Sequence, residues 1–223
     1  MKRGLGMNEH KPKIKICGIT NLEDARYASG KFVDYLGFIF YDKSPRYIEP
    51  AMAGAIINWL EGPKKVGVFV NQSIDEVNQI AKESGLDLVQ LHGDESVEYC
   101  ELIDKPVIKV LHITPETSID ELKYKVESYS DVAQYFLFDT KIDALWGGTG
   151  KTFDWEMLAE LSNKIPFFVA GGLNTDNMQN AIETTSPYAV DVSSSLEEEP
   201  GIKDYDKIDA LMDVMNNVWD KQN

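Results

Sequence analysis

Phe167-Phe168-Val169-Ala170-Gly171-Gly172-Leu173-Asn174-Thr175-Asp176 is a short β-rich apolar run that breaks at two glycines and passes into a polar stretch. Met178, Ala181 and Ile182 then recur at helical spacing, which makes the segment one strand–turn–helix unit. The same unit recurs through almost the whole chain. Strands are expected at Lys13–Ile19, Tyr35–Phe40, Lys65–Val70, Leu88–His92, Val107–Leu111, Tyr135–Asp139, Phe167–Gly171 and Ala189–Ser193. Between them lie amphipathic stretches: Leu22, Ala25 and Ala28 share one face, and Ile74, Val77, Ile80 and Ala81 another, opened by Ser73 with Glu76 as a capping box. The tail carries Ile208, Leu211, Met212, Met215 and Trp219 at the same spacing. Eight strands each followed by a helix is the count of a (β/α)8 TIM barrel in a single domain; an open doubly wound sheet is the rival. The barrel is expected over residues 13–223, with residues 1–12 as a flexible extension.

Composition narrows the function. The 223 residues include 22 Lys+Arg against 37 Asp+Glu, a net charge of −15, and 43% are hydrophobic. So acidic a chain argues against nucleic acid or an anionic membrane as partner. No apolar run approaches the roughly 18 residues of a membrane span. Cys17 and Cys100 are too few for a disulfide scaffold, and with no export signal a reducing cytoplasm is the expected location. His10, His92 and His112 make no short-spaced pair with each other or with a Cys, so no zinc motif and no metal site is expected.

Strand alternation suggests where chemistry collects. With Ile14/Ile16, Val89/Leu91, Ile108/Val110, Phe136/Phe138 and Val190/Val192 facing the helices, the inward set is Lys15, Cys17, Gln90, His92, Lys109, Asp139, Asp191 and Ser193. Lys15 and Lys109 paired with Asp139 and Asp191 would explain part of this as an internal salt-bridge network. A thiol and a carboxylate at the ends of strands one and six point instead to a site at the C-terminal mouth. Gly171 and Gly172 after strand seven, with Ser193 and Ser194 after strand eight, suit a phosphate site. Gly147–Thr152 looks like a P-loop, but GxxxxGK[ST] needs Gly at 145, where Leu145 stands, so a glycine-rich lid containing Gly148 is expected there. Asp154 is expected to cap the helix after it, Cys100 to be a core thiol, and Glu197-Glu198-Glu199 to be a solvated loop.

These residues resemble the phosphoribosylanthranilate isomerase family. The matching segments are Lys15–Thr20, Gly37–Phe40 with Ser44–Tyr47, Val66–Asn71, Val89–Glu95, Phe138–Asp139, Gly147–Gly150 with Phe153–Trp155, Ala170–Asn174, Asp191–Ser194 and Pro200–Asp204. Ser195 departs from the Gly more usual there. The resemblance implies an Amadori rearrangement of an aminoaldose in tryptophan biosynthesis, without a cofactor, on a small phosphosugar. It implies Asp139 as general acid, Cys17 as general base and Arg46 as partner of the anthranilate carboxylate. Lys15 is expected to favour the Cys17 thiolate, and Asp139 to be kept protonated by burial or a neighbouring carboxylate. His92 and Asp191 orient substrate hydroxyls or the catalytic groups, and the protein is a monomer or homodimer. A related histidine-pathway aminoaldose isomerase is less similar, because it relies on two aspartates. A non-catalytic phosphosugar-binding barrel is the third reading.

Overall fold

In a computed structural model, residues 11–139, 155–161 and 165–221 are described. Eight parallel strands close into one barrel in chain order. They are β1 (Lys13–Cys17), β2 (Tyr35–Ile39), β3 (Lys64–Phe69), β4 (Leu88–Leu91), β5 (Val107–His112), β6 (Tyr135–Asp139), β7 (Phe167–Ala170) and β8 (Ala189–Val192). Helices α1 (Leu22–Gly30), α2 (Pro50–Ile57), α3 (Ile74–Glu83), α4 (Val97–Glu101), α5 (Ile119–Tyr129), α6 (Glu156–Ala159), α7 (Met178–Thr185) and α8 (Tyr205–Lys221) form the outer layer. The β1–β8 pairing, with Lys15 beside Asp191, closes the cylinder and excludes the open sheet. Of the expected extension, Lys11 and Pro12 alone are described, and the Pro12 carbonyl accepts a bond from the Trp219 indole of α8.

Local chemistry sets the helix starts. Asn21, Ser73, Ser96 and Ser118 each accept the backbone N–H three residues on, at Asp24, Glu76, Tyr99 and Glu121. Each side chain satisfies a donor that the first helical turn leaves without an intrahelical partner. Helix α7 starts at Met178 rather than Asn174, because Asn174 and Asn177 bond each other across the turn. Asp154 lies outside the described residues.

The apolar residues divide into two sets. Ile14, Ile16, Phe38, Leu91, Phe136, Phe138, Phe167, Val190 and Val192 pack against helices. Tyr35, Val66, Leu88, Ile108, Val110, Tyr135, Leu137, Phe168 and Ala189 fill the barrel. At its N-terminal end the Tyr188 hydroxyl meets those of Tyr35 at 3.1 Å and Tyr135 at 3.4 Å. Ring packing with Phe168 completes this plug.

Register corrects the expected face of β5. Partners in adjacent strands share a face, and Gln90 stands beside Ile108 while Leu91 stands beside Lys109. Ile108 and Val110 therefore point inward and Lys109 points toward the helices, since a slip of one residue exchanges the two faces. The expected Lys109 link to Asp139 or Asp191 does not form. Its ammonium instead bonds the Gly93 carbonyl and Glu95, each at 2.7 Å. Burial opposes the Glu95 charge, but Lys109 and the Asn71 N–H hold that carboxyl below its ordinary value. Lys109→Met leaves the carboxylate buried without its cation and is expected to cost about 3–5 kcal/mol in urea unfolding. Adding Glu95→Leu should recover most of that; an unchanged midpoint in the single variant would dismiss the pair's role.

Candidate active site

Seven of the expected inward residues, Lys15, Cys17, Gln90, His92, Asp139, Asp191 and Ser193, keep the face read for them, by the register of β1, β4, β6 and β8 or by continuing it past the last strand residue. Cys17 and Asp139 end β1 and β6 on that face, three strands apart around the barrel. The thiol has room because residue 37, beside it on β2, is glycine: a Cβ there would lie 2.6 Å from the Cys17 Sγ.

Lys15 lies beneath this mouth, fully buried, with its Nζ 2.8 Å from Asp191 Oδ2. Burial disfavours the ammonium, but the Asp191 carboxylate and the Cys17 sulfur outweigh it, so Lys15 stays charged. The other Asp191 oxygen, Oδ1, is buried and has no hydrogen-bond partner among the described residues. Burial pushes the Cys17 thiol above its ordinary value, against the pull of Lys15 and Lys203. Lys15 favours the thiolate as expected, and Lys203 adds to it, but the loss of water around the sulfur outweighs both.

Glu197 is one residue that the sequence pattern does not reveal. The supposed solvated loop is strand β9 (Glu197–Glu199), paired antiparallel with β10 (Ile202–Lys203). Glu198 and Glu199 are exposed, but Glu197 is buried between two cations. Its carboxylate accepts from Arg46 Nε at 2.8 Å and Nη2 at 2.6 Å, and from Lys203 Nζ at 2.8 Å. Burial opposes its charge, yet Arg46 and Lys203 hold the carboxyl below its ordinary value. Lys203 also donates to the Cys17 carbonyl at 2.7 Å, so the hairpin fixes Arg46 and the end of β1 together. Arg46 Nη1 takes no part in the Glu197 contact. An isolated Glu in a run of three offers no sequence signal for this role.

The two glycines after β7 lie in the left-handed region. Gly171 and Gly172 adopt φ of 95° and 67°, a region that side chains disfavour. After β8, Ser194–Leu196 form a single 3-10 turn preceded by Ser193. The Ser195 hydroxyl donates to the Leu173 carbonyl at 2.5 Å and ties the two loops together. Ser193 donates its hydroxyl to the Cys17 carbonyl at 3.0 Å, so its side chain braces β1. Gly148 lies outside the described residues. Cys100 is a buried core thiol, pushed up to about 11 by its burial.

Around Asp139 the structure adds a second histidine. His92 Nε2 is 3.4 Å and His112 Nδ1 3.8 Å from Asp139 Oδ2. With β5 read in its true register, His112 continues the inward series Ile108–Val110 and stands beside Asp139. Correct parity was the signal that would have found it. His92 and His112, 20 residues apart in sequence, are brought together by adjacent strand ends, with ring centroids 5.0 Å apart.

A closed parallel barrel with a thiol, a carboxylate and a braced arginine around its C-terminal mouth is the architecture of a (β/α)8-barrel enzyme. The model of the N-(5'-phosphoribosyl)anthranilate isomerase family matches residues 14–214. The isomerase of Citrifermentans bemidjiense is 45% identical over 202 residues, covering 90% of this chain and 95% of its own. That of Geobacter metallireducens is 43% identical over 198 residues, covering 88% and 95%. The crystal structure of the Thermotoga maritima isomerase superposes with a TM-score of 0.82 at 38% identity, covering 92% of this chain and 99% of its own. A phosphoribosylanthranilate isomerase in complex with reduced 1-(o-carboxyphenylamino)-1-deoxyribulose 5-phosphate has a TM-score of 0.80 at 35% identity, over 92% and 99%. The chain belongs to the phosphoribosylanthranilate isomerase family, the isomerases of tryptophan biosynthesis. Among the described residues no helix is long and apolar enough to cross a membrane.

Proposed function

We propose that this chain converts N-(5-phosphoribosyl)anthranilate into 1-(2-carboxyphenylamino)-1-deoxyribulose 5-phosphate by an Amadori rearrangement, with Asp139 as general acid and Cys17 as general base. The observation that carries the reading is the placement of a thiol and a carboxyl group on one inward face, at the ends of β1 and β6, in a member of this family. The complex of a relative with a reduced phosphosugar supports the choice of ligand.

Asp139 gives its proton to the ring oxygen as the bond from that oxygen to C1 breaks, and the anthranilate nitrogen becomes an iminium. The Cys17 sulfur then takes the C2 proton. The C–H electron pair forms the C1–C2 double bond and the iminium pair returns to nitrogen, giving an enolamine that tautomerises to the ketose. The two groups must address different atoms of one sugar, which suits their positions three strands apart. No cofactor takes part, because oxidation at C2 and reduction at C1 balance within the molecule.

Binding falls to the rest of the mouth. Backbone N–H groups of the Gly171-Gly172 loop and the turn at Ser193-Ser194 receive the phosphate. Asp191 Oδ1 accepts a sugar hydroxyl, which would satisfy an otherwise unpaired buried oxygen. His92 orients Asp139. Arg46 meets the anthranilate carboxylate while Glu197 fixes the rest of the guanidinium, so recognition starts from a held side chain rather than a free one. Arg46→Ala is expected to raise KM about 10–100-fold with a smaller change in kcat, the scale of one or two hydrogen bonds to a charged group. Unchanged KM and kcat/KM in steady-state kinetics would reject the role.

The substrate assignment is tested by offering the purified protein phosphoribosylanthranilate and the histidine-pathway aminoaldose side by side. Turnover of the first at a far higher kcat/KM supports the reading. Preference for the second would replace it, and binding without turnover of either would make the chain a phosphosugar-binding barrel.

A further inference from the structure

Strands β4, β5 and β6 are neighbours in the barrel, and their ends gather two imidazoles and a carboxylate. One ligand atom from each of His92, His112 and Asp139 lies within 4.8 Å of the others. The Asp139 Oδ2 separations are 3.4 Å to His92 and 3.8 Å to His112. Ligands held tetrahedrally at bonds of about 2.0–2.1 Å stand about 3.3 Å apart. The His112 and His92 side chains are 48% and 30% exposed and that of Asp139 12%.

The outer ring atoms are backed as metal-binding histidines are backed. His112 Nε2 lies 3.0 Å from the His92 carbonyl. A carbonyl accepts only, so Nε2 carries the proton and Nδ1 presents its lone pair to the cluster. His92 Nδ1 lies 3.1 Å from the Gln90 amide nitrogen, and Gln90 Oε1 is buried without a partner among the described residues. Turning the amide over places Oε1 against an Nδ1–H and leaves the His92 Nε2 lone pair toward Asp139. Hydrogen bonds from the far ring nitrogen to a carbonyl or amide oxygen are what fix tautomer and orientation in metal sites.

We propose that the mouth of this barrel binds a divalent first-row cation, with Zn²⁺ the best fit to the donor set, on His92 Nε2, His112 Nδ1 and Asp139 Oδ2, and that the ion reversibly inhibits the isomerase. Two imidazoles and one carboxylate match the ligands zinc takes and leave a fourth position for water. Inhibition rests on the reading of Asp139 as the acid: a carboxylate coordinated to a dication cannot carry the proton owed to the sugar.

The experiment titrates the metal-free full chain with zinc chloride by calorimetry in a non-chelating buffer, and measures turnover of phosphoribosylanthranilate across the same zinc range. One ion per chain is expected, with binding weakened at least about 10-fold in His112→Ala and retained in Cys17→Ser. Turnover of wild type should fall at least 10-fold at saturating zinc and return with EDTA, while the same ratio for His112→Ala at that zinc level stays closer to one. Absence of saturable binding would overturn the site. So would binding that survives His112→Ala and vanishes in Cys17→Ser, which places the ion on the thiol. Zinc held by the triad with turnover intact would overturn the inhibition. Failure of the acid assignment is read separately, as near wild-type turnover of Asp139→Asn in EDTA, and leaves the binding result standing.

Discussion

Asp139→Asn is expected to lower kcat/KM for phosphoribosylanthranilate about 10²–10⁴-fold, the range of a positioned proton donor. The amide keeps the size of the carboxyl group and its place at the end of β6, but it has no acidic proton for the ring oxygen. Ring opening comes first in the sequence, so the loss should appear in kcat and in kcat/KM together. A role confined to anchoring the strand end gives a different pattern: a lower urea midpoint, with kinetics of the folded fraction close to wild type. Far-UV circular dichroism and urea unfolding beside steady-state kinetics separate the two. Full activity in a folded Asp139→Asn protein would remove the acid from the scheme.

Cys17→Ala should have an effect of the same order, about 10²–10⁴-fold, with the fold intact because a small buried side chain is replaced by a smaller one. The pH dependence makes this test sharper. Burial raises the thiol, so the resting group is protonated near neutrality and the reactive thiolate grows as pH rises through the elevated value. The kcat/KM profile of wild type should therefore climb on the alkaline side, with its midpoint above the ordinary thiol value of about 8.5. Cys17→Asp should restore part of the rate lost in Cys17→Ala and shift that limb to lower pH, since a carboxyl group titrates below a thiol in the same place. A flat profile through this region in wild type, or a limb unmoved in Cys17→Asp, would take the base role from Cys17.

The barrel was legible because its strands are short, apolar and separated by amphipathic stretches of regular length. All eight expected strands occur, with no end off by more than two residues. Inward faces were legible where apolar and polar residues alternate, as in Ile14-Lys15-Ile16-Cys17 and Val190-Asp191-Val192-Ser193. They fail in Val107-Ile108-Lys109-Val110-Leu111, where alternation in an apolar run points the one lysine inward and the register points it outward. That lysine belongs to Glu95, 14 residues away and buried in the β4–α4 connection, a pairing no local pattern announces. The same misreading hid His112. Glu197 was hidden differently: an acidic triplet looks solvated, and only a hairpin with Lys203 buries its first member beneath Arg46. Residues that belong to one strand end could be read one at a time. Residues that act through a neighbour on another element needed the closed structure.

The identity of the acid and base is tested most directly by the decay of anthranilate fluorescence on mixing phosphoribosylanthranilate with wild type and with the Cys17→Ala/Asp139→Asn double variant. The signal should fall within seconds to minutes for wild type, and no faster than in buffer for the folded double variant. Equal decay in both proteins would contradict the account.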